Sequence, residues 1–209
     1  VYPLQQGRKL RLKNPDKLLN EIKYLKSSLG VNNFIFRDPV FSIDRKHTIE
    51  ICQKIIEANL NIKICLETHL KNIDDEMADY FKKAGVKLIY VGIESGDSEV
   101  LKAIQKGETF KTTIEGLNKS KAAGMDSSVM IINGVGGKLL SEQHAIHSAE
   151  VLNATQPKFA STLVLTAHKG LEHYKNRYLG EFIELSPIEL FEEMKLFMEN
   201  LNLSETIFR

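Results

Sequence analysis

Cysteine is scarce in this chain of 209 residues, with only Cys52 and Cys65 present. They fall on an expected helix and an expected strand at a spacing that fits no ligand motif, so buried, reduced thiols are the ordinary reading. The chain by itself then offers no recognisable zinc or iron–sulfur site. A surplus of one charge is lacking too: 28 basic side chains meet 27 acidic ones, for a net charge of +1. Nothing global points to a polyanionic partner, and nucleic acid is unsupported. No apolar run approaches the roughly 18 residues of a spanning helix, and there is no charged-then-apolar targeting pattern. The expectation is a cytoplasmic protein with no membrane partner. Repeats at solenoid period and low-complexity tracts are absent as well.

What is present is enough apolar material for a sizeable core, 43% of the residues, and the length suits one domain over residues 1–209. The stretch that organises the rest is Lys87–Gly96, KLIYVGIESG. Leu88, Ile89, Tyr90 and Val91 form an unbroken β-prone run, which suits a parallel strand covered on both faces. Gly92 and Gly96 bracket Glu94 and Ser95, and Asp97 or Ser98 is placed to cap the following helix. A carboxylate thus stands where a parallel strand gives way to a helix, the end at which α/β folds bind ligands.

Two further segments have this form. The spacing predicts a helix from Asn14 and Pro15 to Gly30, then a strand over Asn33–Phe36 that runs into Arg37 and Asp38. A helix over about 44–59 leads to a strand at Ile62–Leu66, which closes on Glu67. Downstream come a helix from Asp74 to Gly85, the Lys87 strand, two helical stretches separated by Lys106 and Gly107, and a strand at Val129–Ile132 emptying into Gly134, Gly136 and Gly137. A helix capped by Ser141, a last strand at Phe159–Leu165 and a final helix from Pro187 to about Leu201 complete the pattern. Helix followed by strand, five times over, implies an α/β fold with a parallel sheet and right-handed crossovers. Five units are too few for a closed eight-unit barrel, so a partial barrel is expected.

Asp38, Glu67 and Glu94 would place acceptors at three successive strand ends, with Lys106 and the glycine loop nearby. Such a set suits a ligand that carries an ammonium, hydroxyls and a carboxylate, as in a nucleoside joined to an amino acid. The glycine loop matches neither the dinucleotide fingerprint nor the P-loop. His144 and His147 read as an ordinary exposed helix face, and the basic residues before position 13, Arg8 and Lys9 among them, as solvated surface. His168, His173 and Tyr174 follow the last strand, a location that favours ligand contact.

The phrases VYPLQQGRKLR, FIFRDPVFSIDRKHTIEIC, LETHL, YVGIESGDSEVLKAIQKG and VMIINGVGG, in this order, resemble the core domain of radical S-adenosylmethionine (radical SAM) enzymes. The first half is most similar to the branch that often carries a cobalamin-binding domain upstream. The segment GVGGKLLSEQHAIHSAEVLNATQPKF and the ending NLNLSETIFR look more like the Elp3-type group. The resemblance implies a partial (β/α) barrel of about six units, of which strands 2 to 6 lie here. It implies S-adenosylmethionine and a [4Fe-4S] cluster as cofactors, with cobalamin through an upstream domain. A flavodoxin- or ferredoxin-type electron donor is the implied partner. The family's three cluster cysteines, in a C-x-x-x-C-x-x-C loop after the first strand, are expected before Val1, so the 209 residues alone are expected to be inactive, with an open sheet edge that favours association.

Carried over residue by residue, the resemblance implies that Arg37 and Asp38 meet the methionyl amino group and that Glu67 accepts from the ribose hydroxyls. Glu94, with Ser95, would lie beside the methionyl part, Lys106 near its carboxylate, and the backbone of Ile132 and Gly134 against adenine. The glutamate that relatives sometimes show three residues after that glycine is Gly137 here. Catalysis is then the cofactors' work, and these side chains are positioners. The alternative from another class is a cluster-less barrel that acts as a binding or interaction module. A conventional barrel hydrolase or lyase ranks below both.

Overall fold

A computed structural model describes residues 10–167 and 170–209. Local chemistry starts and stops its helices. Helix α1 (Pro15–Leu29) opens where the Asn14 side chain accepts the amides of Asp16 and Lys17, with proline in the first turn, and closes on Gly30 at a left-handed φ of 69°. Strand β1 (Asn33–Phe36) follows, then α2 (Arg45–Glu57), β2 (Lys63–Glu67), α3 (Asp75–Ala84) and β3 (Val86–Glu94). Asp44 and Asp74 cap α2 and α3 as acceptors for the amides of His47 and Met77. Beyond β3 come α4 (Ser98–Ala103), α5 (Phe110–Ala122), β4 (Asp126–Asn133), α6 (Gly137–Thr155), β5 (Phe159–Val164), α7 (Leu171–Lys175), α8 (Pro187–Glu199) and β6 (Ile207–Phe208).

The fold is α/β, six strands with flanking helices, and the strands take the order β1-β2-β3-β4-β5-β6. The pairs β1–β2, β2–β3, β4–β5 and β5–β6 are parallel. Two compact units are distinguished: residues 1–90 with 119–126, and residues 91–118 with 127–209. The first holds β1, β2 and the start of β3 with α1 to α3, around a core that includes Ile22, Ile51, Leu66, Met77 and Phe81. In the second, the end of β3 and β4 to β6 share a core with α4, α6 and α8 that includes Ile93, Leu101, Val129, Leu152 and Phe197. Each such side chain contributes roughly 1.5–3 kcal/mol by leaving water. Among the described residues no helix is long and apolar enough to cross a membrane.

Four expectations need correction. The strands are not covered on both faces. From Ile89 onward β3 alternates, with Ile89, Val91 and Ile93 buried but Tyr90 37% exposed, and in β4 Val129 and Ile131 are buried while Met130 is 37% exposed. One face meets helices; the other carries apolar side chains that stay partly exposed, which is why the sequence shows no polar alternation. Helix α6 begins at Gly137, four residues before Ser141, because the Ser141 hydroxyl donates to Glu193 in place of capping. The chain also adds β6, a strand of 2 residues that takes its place through pairing with β5 and has no pattern of its own. His144, finally, is buried at 1% exposure, and the exposed-face reading of α6 fails there.

Candidate functional site

In the second unit the end of β3 carries the densest chemistry. Glu94 terminates the strand at φ 63°, a left-handed conformation that costs a non-glycine residue about 1–2 kcal/mol. Its Oε1 accepts from Lys106 Nζ at 2.8 Å, and the two side chains are only 22% and 12% exposed. Gly92 makes the room, since a β-carbon there would stand 2.6 Å from Glu94 Oε1. So the carboxylate folds back along its own strand to meet a lysine from the turn after α4. The pair offers an acceptor and a donor side by side.

The two residues after Glu94 are locked to α6. Gly96 donates its amide to Ser148 Oγ at 2.8 Å, and Ser95 Oγ lies 2.8 Å from His144 Nδ1. Because Ser95 Oγ also accepts the Asp97 amide at 3.0 Å, its own proton is free to go to Nδ1. That assignment leaves the His144 proton on Nε2, which faces Glu193 Oε1 at 3.8 Å. Asp97 caps α4 through the amide of Val100 at 2.8 Å and takes Gln143 Nε2 at 3.0 Å and His147 Nδ1 at 2.6 Å. Burial opposes the Asp97 charge, but these donors outweigh it and hold the carboxyl below its usual range.

Burial pushes the His144 imidazole down to about 4, against a small opposite pull from Asp97. An unfolded histidine titrates near about 6.5, so between these values the unfolded chain takes up a proton that the folded chain refuses. Stability from this group is full above the unfolded value and falls as the pH drops toward the folded one. The loss reaches on the order of 3 kcal/mol. Urea unfolding of the parent and of His144→Gln from pH 7 to 4.5 checks this. The parent midpoint should fall more steeply, and parallel curves would refute a buried neutral imidazole.

Loop 134–138 follows β4. The Ile132 carbonyl accepts from Val135 at 3.4 Å, and the Gly134 amide donates to Glu193 Oε1 at 2.6 Å. That amide is therefore committed to α8. Tyr174, expected after the last strand, donates its hydroxyl to the Val135 carbonyl at 2.8 Å, and Tyr178 does the same to Gly136 at 3.0 Å. His173 is exposed. His168 lies outside the described residues, as do Arg8 and Lys9.

In the first unit, Arg37 and Asp38 directly follow β1 and are exposed, and Glu67 ends β2, also exposed. Phe36 and Leu66 are paired in register, so Arg37 and Glu67 leave the sheet side by side. Glu67 and Glu94 thus end their strands, and Asp38 stands two residues past the end of β1. Among the expected site residues, Glu94 and Lys106 are joined by a direct bond.

The implied cofactors can be tested against these groups. Burial pushes the Cys52 thiol up to about 12 and raises that of Cys65. Among the described residues no group of three or more His, Cys, Asp or Glu is placed to hold a metal ion. These residues do not fit an iron–sulfur cluster as ligands. An amino acid joined to a nucleoside fits them better, since Glu94 and Lys106 complement an ammonium and a carboxylate.

The model of the Radical SAM superfamily matches residues 2–151. The chain belongs to the radical SAM superfamily. This radical SAM chain is 26% identical over 131 residues to an uncharacterized methyltransferase of Pyrococcus horikoshii, a match that covers 63% of the chain and 28% of that protein. It is 27% identical over 130 residues to the anaerobic magnesium-protoporphyrin IX monomethyl ester cyclase of Rubrivivax gelatinosus, covering 61% and 23%. The matches thus span about a quarter of the length of these relatives. Among solved structures, the radical S-adenosylmethionine methyltransferase TsrM of Kitasatospora setae, with cobalamin and a [4Fe-4S] cluster bound, superposes with a TM-score of 0.64 at 16% identity, over 76% of this chain and 29% of that one. Elp3 of Methanocaldococcus infernus gives 0.63 at 15% identity, over 93% and 52%. The partial radical SAM barrel expected from the sequence is the fold found. Cobalamin-type and Elp3-type proteins both stand among the structural neighbours, and neither is favoured.

The residues that sequence reasoning missed are Glu193, Tyr178 and the burial of His144. Only the final helix from Pro187 was visible locally. No sequence signal marks a glutamate that reaches a glycine 59 positions away.

Proposed function

We propose that this chain is the core of a radical SAM enzyme that binds S-adenosylmethionine. The observation that carries the reading is the Glu94–Lys106 pair, enclosed at 2.8 Å and held by a strained strand end. Glu94 receives the methionyl ammonium, Lys106 attracts the carboxylate, Ser95 fixes the turn between them and α6, and the backbone of Ile132 and Gly134 faces adenine. The family's chemistry, reductive cleavage of S-adenosylmethionine to a 5′-deoxyadenosyl radical, draws its electron from a [4Fe-4S] cluster for which the described residues hold no ligands. What these residues contribute is orientation of the ligand and exclusion of water.

In this reading the cluster ligands come from protein outside these residues, and the electron from a flavodoxin- or ferredoxin-type donor. A cobalamin domain belongs to the same proposal and is supported by the cobalamin bound to TsrM. The substrate is left open, since hydrogen abstraction serves methylation, thiolation, cyclisation and cleavage alike. The test is anaerobic reconstitution of the gene's complete product with iron and sulfide, followed by S-adenosylmethionine and dithionite. Cluster absorption and 5′-deoxyadenosine are the expected result. A folded product that gives neither would replace the enzyme reading by that of a binding module.

A further inference from the structure

Loop 134–138 is anchored by chain that comes much later. Besides the tyrosine hydroxyls on the Val135 and Gly136 carbonyls, the Lys138 amide donates to the Ile183 carbonyl at 2.9 Å. Within the loop the Gly137 amide donates to the Gly134 carbonyl at 3.1 Å, but position 137 has no room for an anchoring side chain, because a β-carbon there would stand 2.8 Å from that same Ile183 carbonyl oxygen and 3.0 Å from the Phe182 ring. What holds its first amide is a carboxylate from α8: Glu193 Oε1 takes the Gly134 N–H at 2.6 Å and Oε2 takes the Ser141 hydroxyl at 2.5 Å.

Glu193 is 3% exposed, and burial raises its pKa against the pull of those two donors. A carboxylate is a costly group to enclose, and an apolar side chain would fill the same space on α8 without that penalty. Besides these two donors, the His144 imidazole faces the acid, with Nε2 at 3.8 Å from Oε1. The return on it is geometric, since it fixes one backbone amide of the loop and the first turn of α6 to the same group.

We propose that Glu193 is a positioning residue for the candidate site, holding from α8 the Gly134 backbone that faces adenine. This rests on the reading of loop 134–138 given under Proposed function. With the Gly134 amide committed to Glu193, the buried backbone of residues 134–137 is held in one arrangement. Without that acceptor the amide is left unsatisfied and the loop loses the tie that fixes its shape.

The test uses Glu193→Leu, which keeps the volume and removes both acceptors, and Glu193→Asp, which keeps the charge but is one methylene too short. Glu193→Gln, which retains an acceptor for Gly134, is the conservative control. S-adenosylhomocysteine is the probe, titrated calorimetrically into the whole chain, with amide exchange over residues 134–138 followed without ligand. Expected for both Leu and Asp are faster exchange in the loop and about tenfold weaker binding, the worth of one charge-assisted hydrogen bond. The Leu variant should unfold below the parent, since it leaves the buried Gly134 amide without its acceptor, and Gln should bind within threefold of the parent. If the parent binds and both Leu and Asp bind as tightly, Glu193 has no positioning role. If the parent itself fails to bind, the S-adenosylmethionine reading falls and takes this proposal with it.

Discussion

Gly96→Ala should unfold the protein roughly 6–12 °C lower than the parent, from about 3 kcal/mol of overpacking at roughly 2–4 °C per kcal/mol for a chain of this size. The cause is space and not backbone conformation, since φ at Gly96 is not left-handed. A β-carbon there would meet the His147 carbonyl oxygen and stand 2.6 Å from its carbon and 2.7 Å from Ser148 Cα. All three are backbone atoms of α6, so no rotamer change relieves them. Trimming the neighbour with His147→Ala should accordingly fail to rescue Gly96→Ala. The clash also strains the Gly96 to Ser148 hydrogen bond and the Asp97 cap, both within three residues of Glu94. Differential scanning calorimetry decides the matter. A midpoint within 2 °C of the parent would mean that α4 and α6 separate more easily than close-packed elements do.

Glu94→Gln should weaken S-adenosylmethionine binding by roughly 10- to 150-fold, the equivalent of about 1.5–3 kcal/mol for a hydrogen bond to a charged group. The substitution keeps size and the left-handed backbone requirement, so the loss reports charge. It also leaves Lys106, 12% exposed, beside a neutral amide, and the methionyl carboxylate then becomes that lysine's best partner. Glu94→Gln should therefore lose affinity more steeply for the decarboxylated ligand than for S-adenosylmethionine itself. Calorimetric titration of both ligands against parent and variant measures this. Equal affinity in parent and variant would remove Glu94 from the site and return its ion pair with Lys106 to a structural role.

Strand ends and helix caps were legible in the sequence because they are local. Asn14, Asp74 and Asp97 each accept an amide within three positions, and the runs Asn33–Phe36 and Val129–Ile132 end where the structure ends or nearly ends them. The acids at Asp38, Glu67 and Glu94 were visible for the same reason. What was hidden depends on partners far along the chain: Ser95 with His144 are 49 positions apart, Gly134 with Glu193 59. A histidine on a polar-looking helix reads as exposed until the serine that satisfies it is known. The apolar run of β3 misled in the opposite sense, since periodicity cannot say whether its second face meets a helix or stands open, as Tyr90 does.

The superfamily match ends at residue 151, yet loop 134–138 takes its hydrogen bonds from Tyr174, Tyr178, Ile183 and Glu193. The border of recognisable ancestry and the border of mechanical support are different places. A chimera that joins these first 151 residues to the tail of a relative would carry a glycine loop cut to fit one helix and present it to another. Such grafts should trade ligand selectivity before they lose the sheet.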